Sequence, residues 1–515
     1  MFTKRLALLL MCFVLVLSLC SCASNGLPIT DSAPSVTLPP AEVDFVAPIG
    51  DASLEYTEAA TLYLPSYDGI SLTTVETQVS YSPVRPKAES LVRSLLAHAG
   101  TKEATAIGGS VRLSLYGISP VEVSRNVVTI NLGASALQLD REALYAACQA
   151  IGNTLTQLDG IEYVNVLVMD KPVGLDIGNT LPMGAYRHSS VQDLGAAYEQ
   201  LLSRRVSASS DASNAPFSAM VTLYFPLSAG DGMVSEVRSM SFENQLLPDL
   251  VTAILRELGS GPVSSQINSP DLPLLADLLT SKPVIKTYEE TGGNILTLDF
   301  AHNLYDMLEA YGISPKQCLS SLCYTFSTFL PNVCGVVVTV NGEPVDAMLQ
   351  GDDETEEKEP VPVLRSACAD MLYDYCTLFF ADEEGKTLCE TQRPVPYYQA
   401  TNPRYLLREL SYGPQNSDSV EGLQPVMDGH LITDTMLLGF ALSDETLLVN
   451  FAPTFSIVAE KLAPEDERLM AYALVNTLCM EERVRNVCFF LSGSQFEGFS
   501  GDIYWAGLFY PLPLD

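Results

Sequence analysis

The sequence predicts an α+β protein of three tandem modules joined by linkers. Each module is a small twisted β-sheet with two helices packed on one face, in the order β-β-α-β-β-α-β. Three observations predict this. An apolar strand opens at TLYLP from Thr61 and returns as TLYFP from Thr222 and TLFFA from Thr377. A helical stripe with spacings of three, four and three follows in each segment: Cys148, Ile151, Leu155 and Leu158; Leu319, Leu322, Phe326 and Phe329; Ala471, Leu474, Leu478 and Glu481. Only Glu481 breaks the apolar pattern, at the helix end. A strand rich in β-branched and aromatic residues closes each segment: YVNVLVM, GVVVTV and NVCFFLS. The period of roughly 160 residues is far too long for a solenoid, so each copy is expected to bury its own core and to sit as a bead on its linkers.

The elements between these landmarks are legible too. A second extended stretch follows each opening strand, and then an amphipathic helix. The helices are KAESLVRSLLAH from Lys87, PDLVTAILRELGSGP from Pro248 and PRYLLRELSYGP from Pro403. Their apolar faces are Leu91 and Leu95; Val251, Leu255 and Leu258; Leu406 and Leu410. Gly261-Pro262 and Gly413-Pro414 end two of them, with Gly able to take the left-handed cap and Pro unable to continue. The first ends at Ala99-Gly100 without the Pro. Hairpins come next, at 121–132, 284–300 and 437–451, each with two β-rich runs around a polar turn.

The stretch AIGNTLTQLDGIEYVNVLV, 150–168, places the polar pair Asn153-Thr154 inside the apolar helical pattern. Thr154, Thr325 and Thr477 share one helical position, each just before a core residue: Leu155, Phe326 and Leu478. Asn153 returns as Asn476 but becomes Tyr324. A catalytic pair would not survive that change, whereas a helix flank would. These residues read as a structural signature of the repeat.

The expected domains are a signal peptide (1–21), a flexible tether (22–55), module one (56–184), a linker (203–218), module two (219–347), an acidic linker (348–362) and module three with an aromatic tail (366–515). Three domains match 515 residues at roughly 150 residues each. Lys4 and Arg5 precede an apolar run, Leu6 to Leu19, of secretory length and too short to span a bilayer. The following LCSC resembles a lipoprotein lipobox, with Leu19 at −3, Ser21 at −1 and Cys22 as the lipidated residue. The resemblance implies cleavage before Cys22 and a diacylglycerol anchor, whose two acyl chains hold stably where one does not.

The formal charge of −34 disfavours nucleic acid, because acidic chains repel phosphate backbones. Past Cys22 there are nine cysteines, an odd number without regular spacing and without a CxxC pair, so few or no obligatory disulfides and no zinc ribbon are expected. The four histidines, His98, His188, His302 and His430, form no pair at metal-ligand spacing. His98 closes a helix, where a cation complements the dipole. GSQFEG at 493–498 is only a loose echo of a nucleophile elbow, and neither GGS at 108–110 nor GSGP at 259–262 is followed by the Lys of a phosphate loop. No cofactor or metal is expected, and no enzyme. The tail 501–515, with the lone Trp, reads as packing back onto module three.

Taken together, TLYLP and TLYFP, LRELGSGP, VTINL and LTLDF, and above all NTLTQLDGIEYVNVLV resemble the GerMN domain family of sporulation and spore germination lipoproteins, over 60–180, 219–346 and 370–498. Copy one matches best. Members commonly carry two such units, where this chain reads as three. The resemblance implies ring-building α/β modules that assemble side by side, on proteins lipid-anchored to the outer face of the cytoplasmic membrane. It implies no catalytic residues. The expected function is therefore non-enzymatic protein–protein assembly in sporulation or germination. The expected partners are other envelope or sporulation proteins or further copies of the chain, with the membrane reached through the anchor and no nucleic acid. The alternatives are a lipoprotein that binds peptidoglycan or carbohydrate, and a hydrolase with an unrecognised carboxylate site.

Overall fold

The computed structural model describes residues 27–28, 45–69, 71–206, 215–288, 293–345, 361–499 and 503–512. The signal segment, Cys22, most of the tether and the acidic run 351–360 lie outside the described residues.

In the first unit, β1 (Tyr56–Pro65) and β2 (Leu72–Tyr81) are followed by α1 (Lys87–Ala97), β3 (Val121–Ser124), β4 (Val127–Leu132), α2 (Arg141–Leu155) and β5 (Tyr163–Val168). A further helix, α3 (Leu194–Val206), enters the segment read as the second linker. The second unit holds β6 (Phe217–Pro226), β7 (Met233–Phe242), α4 (Leu247–Gly259), β8 (Val284–Tyr288), β9 (Gly293–Phe300), α5 (Leu304–Ala310), α6 (Pro315–Phe329) and β10 (Val333–Val340). The third holds β11 (Tyr373–Ala381), β12 (Thr387–Pro396), α7 (Pro403–Ser411), β13 (Leu437–Ser443), β14 (Thr446–Phe451), α8 (Pro464–Leu478) and β15 (Asn486–Leu491).

Each unit contains two sheets rather than one. The pairs β1–β2, β6–β7 and β11–β12 are hydrogen-bonded separately from the main sheets, β3-β4-β5, β8-β9-β10 and β13-β14-β15. Within each main sheet the first two strands are antiparallel and the last two parallel. The physical reason is the second helix: α2, α6 and α8 contact both the opening hairpin and the last strand, and so keep the sheets apart. A helix with a sheet on each side has no solvent face and must be apolar nearly all round. In α6 every residue from Gln317 to Phe329 is buried. Local chemistry starts these helices: Asp140 accepts the Ala143 N–H, and Ser314 and Gln317 form a capping box ahead of Pro315.

A short returning strand completes each main sheet against its last strand: Tyr186–Arg187 on β5, Val363–Leu364 on β10 and Leu508–Phe509 on β15. The aromatic tail thus packs onto the third unit. Trp505 is fully buried, and its ring N–H donates to Glu467 at 2.7 Å.

The Gly-Pro helix ends have a partner that the sequence reading lacks. Arg238 on β7 donates to the Glu257 and Gly261 carbonyls, and Arg393 on β12 to the Glu409 and Gly413 carbonyls. Each arginine thereby clamps the end of the first helix to the hairpin. The clamp needs an exposed carbonyl at a left-handed glycine, and Gly261 and Gly413 have φ of 70° and 73°. Arg238 stands opposite Val221 and Arg393 opposite Cys376, each just before the opening Thr. In the first unit that place falls to Thr77, opposite Ala60, and its helix lacks Gly-Pro. His98 ends α1 by accepting the Gly100 N–H on Nδ1, a cap made by a ring acceptor rather than by a cation.

Two expectations are corrected. The end of the predicted tether is built into the third unit: Gly50–Ser53 adds a parallel edge strand to β13. Asp51 receives the Arg404 guanidinium at 2.8 and 3.0 Å, and Phe45 and Ala47 pack on the outer face of that sheet. Gly439 admits this strand, because a Cβ there would lie 2.5 Å from the Gly50 backbone. Second, the units are not separate beads. Buried hydrogen bonds join all three.

Candidate functional site

The signature threonines are hydrogen-bond acceptors between helix and hairpin. Thr154 accepts the Tyr63 N–H at 3.0 Å, and Thr325 accepts the Tyr224 N–H at 3.2 Å. Tyr63 sits on β1, whose only full-length partner is β2, so the helix hydroxyl serves the outer edge of the strand. Gln157 adds to this by donating to the Thr61 carbonyl at 2.7 Å. Leu155, Phe326 and Leu478 are buried beside them. Thr477 differs: its hydroxyl is buried and has no hydrogen-bond partner among the described residues.

The preceding position ties down the returning strand. Asn153 accepts the Ser189 N–H at 2.9 Å and donates to the Ser189 carbonyl at 2.7 Å, as a second backbone would. Asn476 accepts the Leu512 N–H at 3.0 Å. In the second unit the returning strand Val363–Leu364 runs directly into Arg365, and Tyr324 replaces Asn. The Arg365 guanidinium lies 3.8 Å from the centre of the Tyr324 ring. Its Nη2 donates to Glu122 of the first unit at 2.5 Å and its Nη1 to Thr328 at 2.7 Å. Tyr324 donates to the other Glu122 oxygen at 3.0 Å. Burial first, and then the Glu122 charge, push the tyrosine hydroxyl far up, which keeps its proton in place for that bond.

Glu122 opens a short segment that meets both other units. Ser124 donates to the Tyr373 carbonyl of the third unit at 2.8 Å and accepts the Ser235 N–H of the second at 3.0 Å. Arg125 takes a left-handed conformation at φ 54°. Its N–H donates to Asp374 at 2.8 Å and its guanidinium to Ser264 at 2.9 Å. Such a backbone is held by its surroundings rather than by preference. Asn165 adds a buried tie, accepting from Thr222 at 3.1 Å.

Comparison with known proteins identifies the repeated unit. The family described as "Germane: Sporulation and spore germination" matches residues 61–174, 222–346 and 377–497, which together are more than half of the chain. The chain belongs to this family. Among solved structures it is similar to the tandem GerMN domains of the sporulation protein GerM from Bacillus subtilis, at 13% identity over 58% of this chain and 99% of that one, with a TM-score of 0.22. It is also similar to the first GerMN domain of the same protein, at 17% identity over 27% of this chain and 95% of that one, TM-score 0.20. A third is a putative lipoprotein from Clostridium perfringens, at 16% identity over 27% and 87%, TM-score 0.18. No curated protein matches.

The three Germane units thus keep a threonine slot and a neighbouring tie slot, and the second unit's tie slot has become its link to the first. Among the described residues at these slots, Tyr324 is the one whose side chain hydrogen-bonds to another unit. Glu122, Ser124, Arg125, Arg365 and Asp374 carry the junction and were missed in sequence. The one signal available was the loss of Asn at 324. Cys22 lies outside the described residues, and among the described residues no group of three His, Cys, Asp or Glu is gathered for a metal. Among the described residues no two cysteines are joined in a disulfide.

Thr154→Val and Thr325→Val are each expected to lower stability by about 1–2 kcal/mol, because each strands a backbone N–H. Thr477→Val should leave stability unchanged or raise it. Denaturant midpoints of the three variants check this, and a Thr154→Val protein of normal stability without function would overturn the structural reading. Arg365→Met should destabilise by about 3 kcal/mol, since it leaves Glu122 buried and unpaired, and should turn one unfolding transition into two in calorimetry. Burial pushes the Asp374 carboxyl from its ordinary value up to about 6, against the pull of the Arg125 and Tyr375 N–H groups. The folded state therefore holds that proton more tightly, and the stability involved is present at low pH and lost as pH rises through 6. Both hydrogen bonds fall on Oδ1, which Asn can supply. Asp374→Asn is expected to be more stable than wild type by roughly 1 kcal/mol at pH 7, with the gain vanishing near pH 4 in melting scans.

Proposed function

We propose that this chain is a non-enzymatic assembly protein of the cell envelope, anchored by a lipid on Cys22 at the outer face of the membrane and acting in sporulation or germination. Its partners are other envelope proteins or further copies of itself. Family membership supports the process. One observation carries the assembly reading: of the three first strands of the main sheets, that of the second unit has, from Val284 to Thr287, no strand on its outer side among the described residues. The edge of β13 is covered by Gly50–Ser53, and β3 lies against Tyr373 and Asp374. β8 is a terminal strand of its sheet, and Val284 to Thr287 are all exposed, with Val284 and Ile285 at 43% and 37%. A sheet edge with apolar exposed residues is a template for another strand. On this reading the tether reaches the folded units at the third, on which Gly50–Ser53 sits.

The test is crosslinking of the full chain in its native membranes, with Cys22→Ala and a Val284→Lys, Ile285→Lys double variant. Wild type is expected to give higher-order species, and the double variant to lose them with an unchanged melting temperature. Cys22→Ala is expected to leave the membrane fraction. A wild-type chain that stays monomeric and is instead retained on purified peptidoglycan overturns the assembly reading. A Cys22→Ala chain that stays with the membrane overturns the anchor.

A further inference from the structure

The seam between the first and third units encloses two adjoining chambers, of about 240 and 190 Å³. They share Tyr56, Ala400, Thr401, Met480 and Glu481. One wall is aromatic: Tyr56 and Tyr81 stack with ring centres 5.1 Å apart, and Tyr397 also lines the space. Val121, Val123, Leu158 and Ile161 add an apolar floor.

The polar groups here are one-sided. Glu481, Glu482, Asp159 and Asp374 line the larger chamber, against a single cation, Lys87. That lysine is already held by Glu58 at 2.8 Å and Glu482 at 2.7 Å. Glu481 accepts the Tyr81 hydroxyl at 2.7 Å and, more weakly, the Arg483 N–H, both on Oε1. Burial raises the cost of its charge. A recessed carboxylate beside aromatic faces, whose one nearby cation, Lys87, lies 5.8 Å from the Tyr81 ring centre and is paired with Glu58 and Glu482, matches the needs of an organic ammonium.

A second observation is independent of the acids. Thr477 lines the smaller chamber, is 1% exposed, and its hydroxyl has no partner. The equivalent hydroxyls in the other two units are both used to hold the opening strand. Buried polar groups are nearly always satisfied, and of those left without a partner among the described residues Thr477 is the one that lines this seam. The third unit has given up the repeat's internal lock where the seam cavity lies.

We infer that this seam is a binding site for a small organic cation with an apolar or aromatic body. The body lies between the tyrosines and the aliphatic floor, the ammonium meets Glu481, and a polar group of the ligand engages Thr477. Met480 and Glu482, both exposed, stand at the mouth. The acidic surface of the chain as a whole concentrates cations near it. The site does not depend on the assembly reading above, because it lies on the first and third units and leaves β8 untouched.

The test is calorimetric titration of the full chain with phenethylammonium and with its uncharged counterpart 2-phenylethanol, at pH 7. The cation is expected to bind saturably and to raise the melting temperature, at least about tenfold more tightly than the alcohol. Glu481→Gln keeps an acceptor for Tyr81 and should cost about tenfold in cation affinity, with little change in melting temperature. Equal binding of cation and alcohol, or an unaffected Glu481→Gln variant that is shown to be folded, overturns the assignment. So does failure of the cation to bind at millimolar concentration, or preferential binding of a neutral sugar such as N-acetylglucosamine.

Discussion

A guanidinium without water governs how this protein is put together. Arg365 is 3% exposed, and moving such a charge out of water costs several kcal/mol unless partners replace the lost hydration. The second unit alone supplies a ring face from Tyr324 and a hydroxyl from Thr328, neither of which is an anion. The carboxylate comes from Glu122 of the first unit. The second unit therefore cannot bury its own returning strand comfortably without the first unit beside it. Buried pairs of this kind add little net stability compared with an apolar core, but they penalise every docking that leaves one partner unpaired. That penalty sets which faces of the units meet. Once Glu122 is placed, Ser124 and Arg125 follow on the same short strand and turn, and they bring in the third unit through Tyr373 and Asp374.

The repeat shows how one scaffold is made to serve three local purposes. A helix between two sheets must satisfy the outer edge of the hairpin, and a threonine hydroxyl does this in the first two units. The adjoining residue faces the returning strand and binds its backbone when it is Asn. Changing that residue to Tyr, where Arg follows the strand, exchanges a backbone tie for a cation held over a ring. Leaving the threonine in place but unpartnered, in the third unit, gives a polar group facing a seam. The slots are fixed by geometry, and their occupants set what each unit does next.

Much of the architecture was legible in sequence because it rests on local periodicity. The apolar spacing of Leu319, Leu322, Phe326 and Phe329 marks α6 whatever packs around it. The second sheet was not legible, since the same stripe describes a helix covered on one side or on two. The returning strands were missed because two residues such as Val363-Leu364 carry no period. The junction was hidden for a different reason. Glu122 and Arg365 are 243 positions apart, and an acidic residue in a strand followed by Ser-Arg reads as an exposed turn. The tether's docked end, GDAS, has strand geometry imposed by Asp51 on Arg404 and by the bare backbone of Gly439, not by its own propensity.

The sheet edges tie these levels together. An edge strand exposes a row of backbone donors and acceptors that something must cover or blunt. The third unit covers its edge with the chain's own N-terminal segment. The first lays its edge against the third unit, where the Asp374 Oδ1 acceptor and the left-handed turn at Arg125 fix the contact. Among the described residues no comparable segment lies on the outer side of β8. With Val284 and Ile285 exposed on β8, no strand among the described residues pairs with the outer side of that sheet, and its backbone donors and acceptors stay available to another chain.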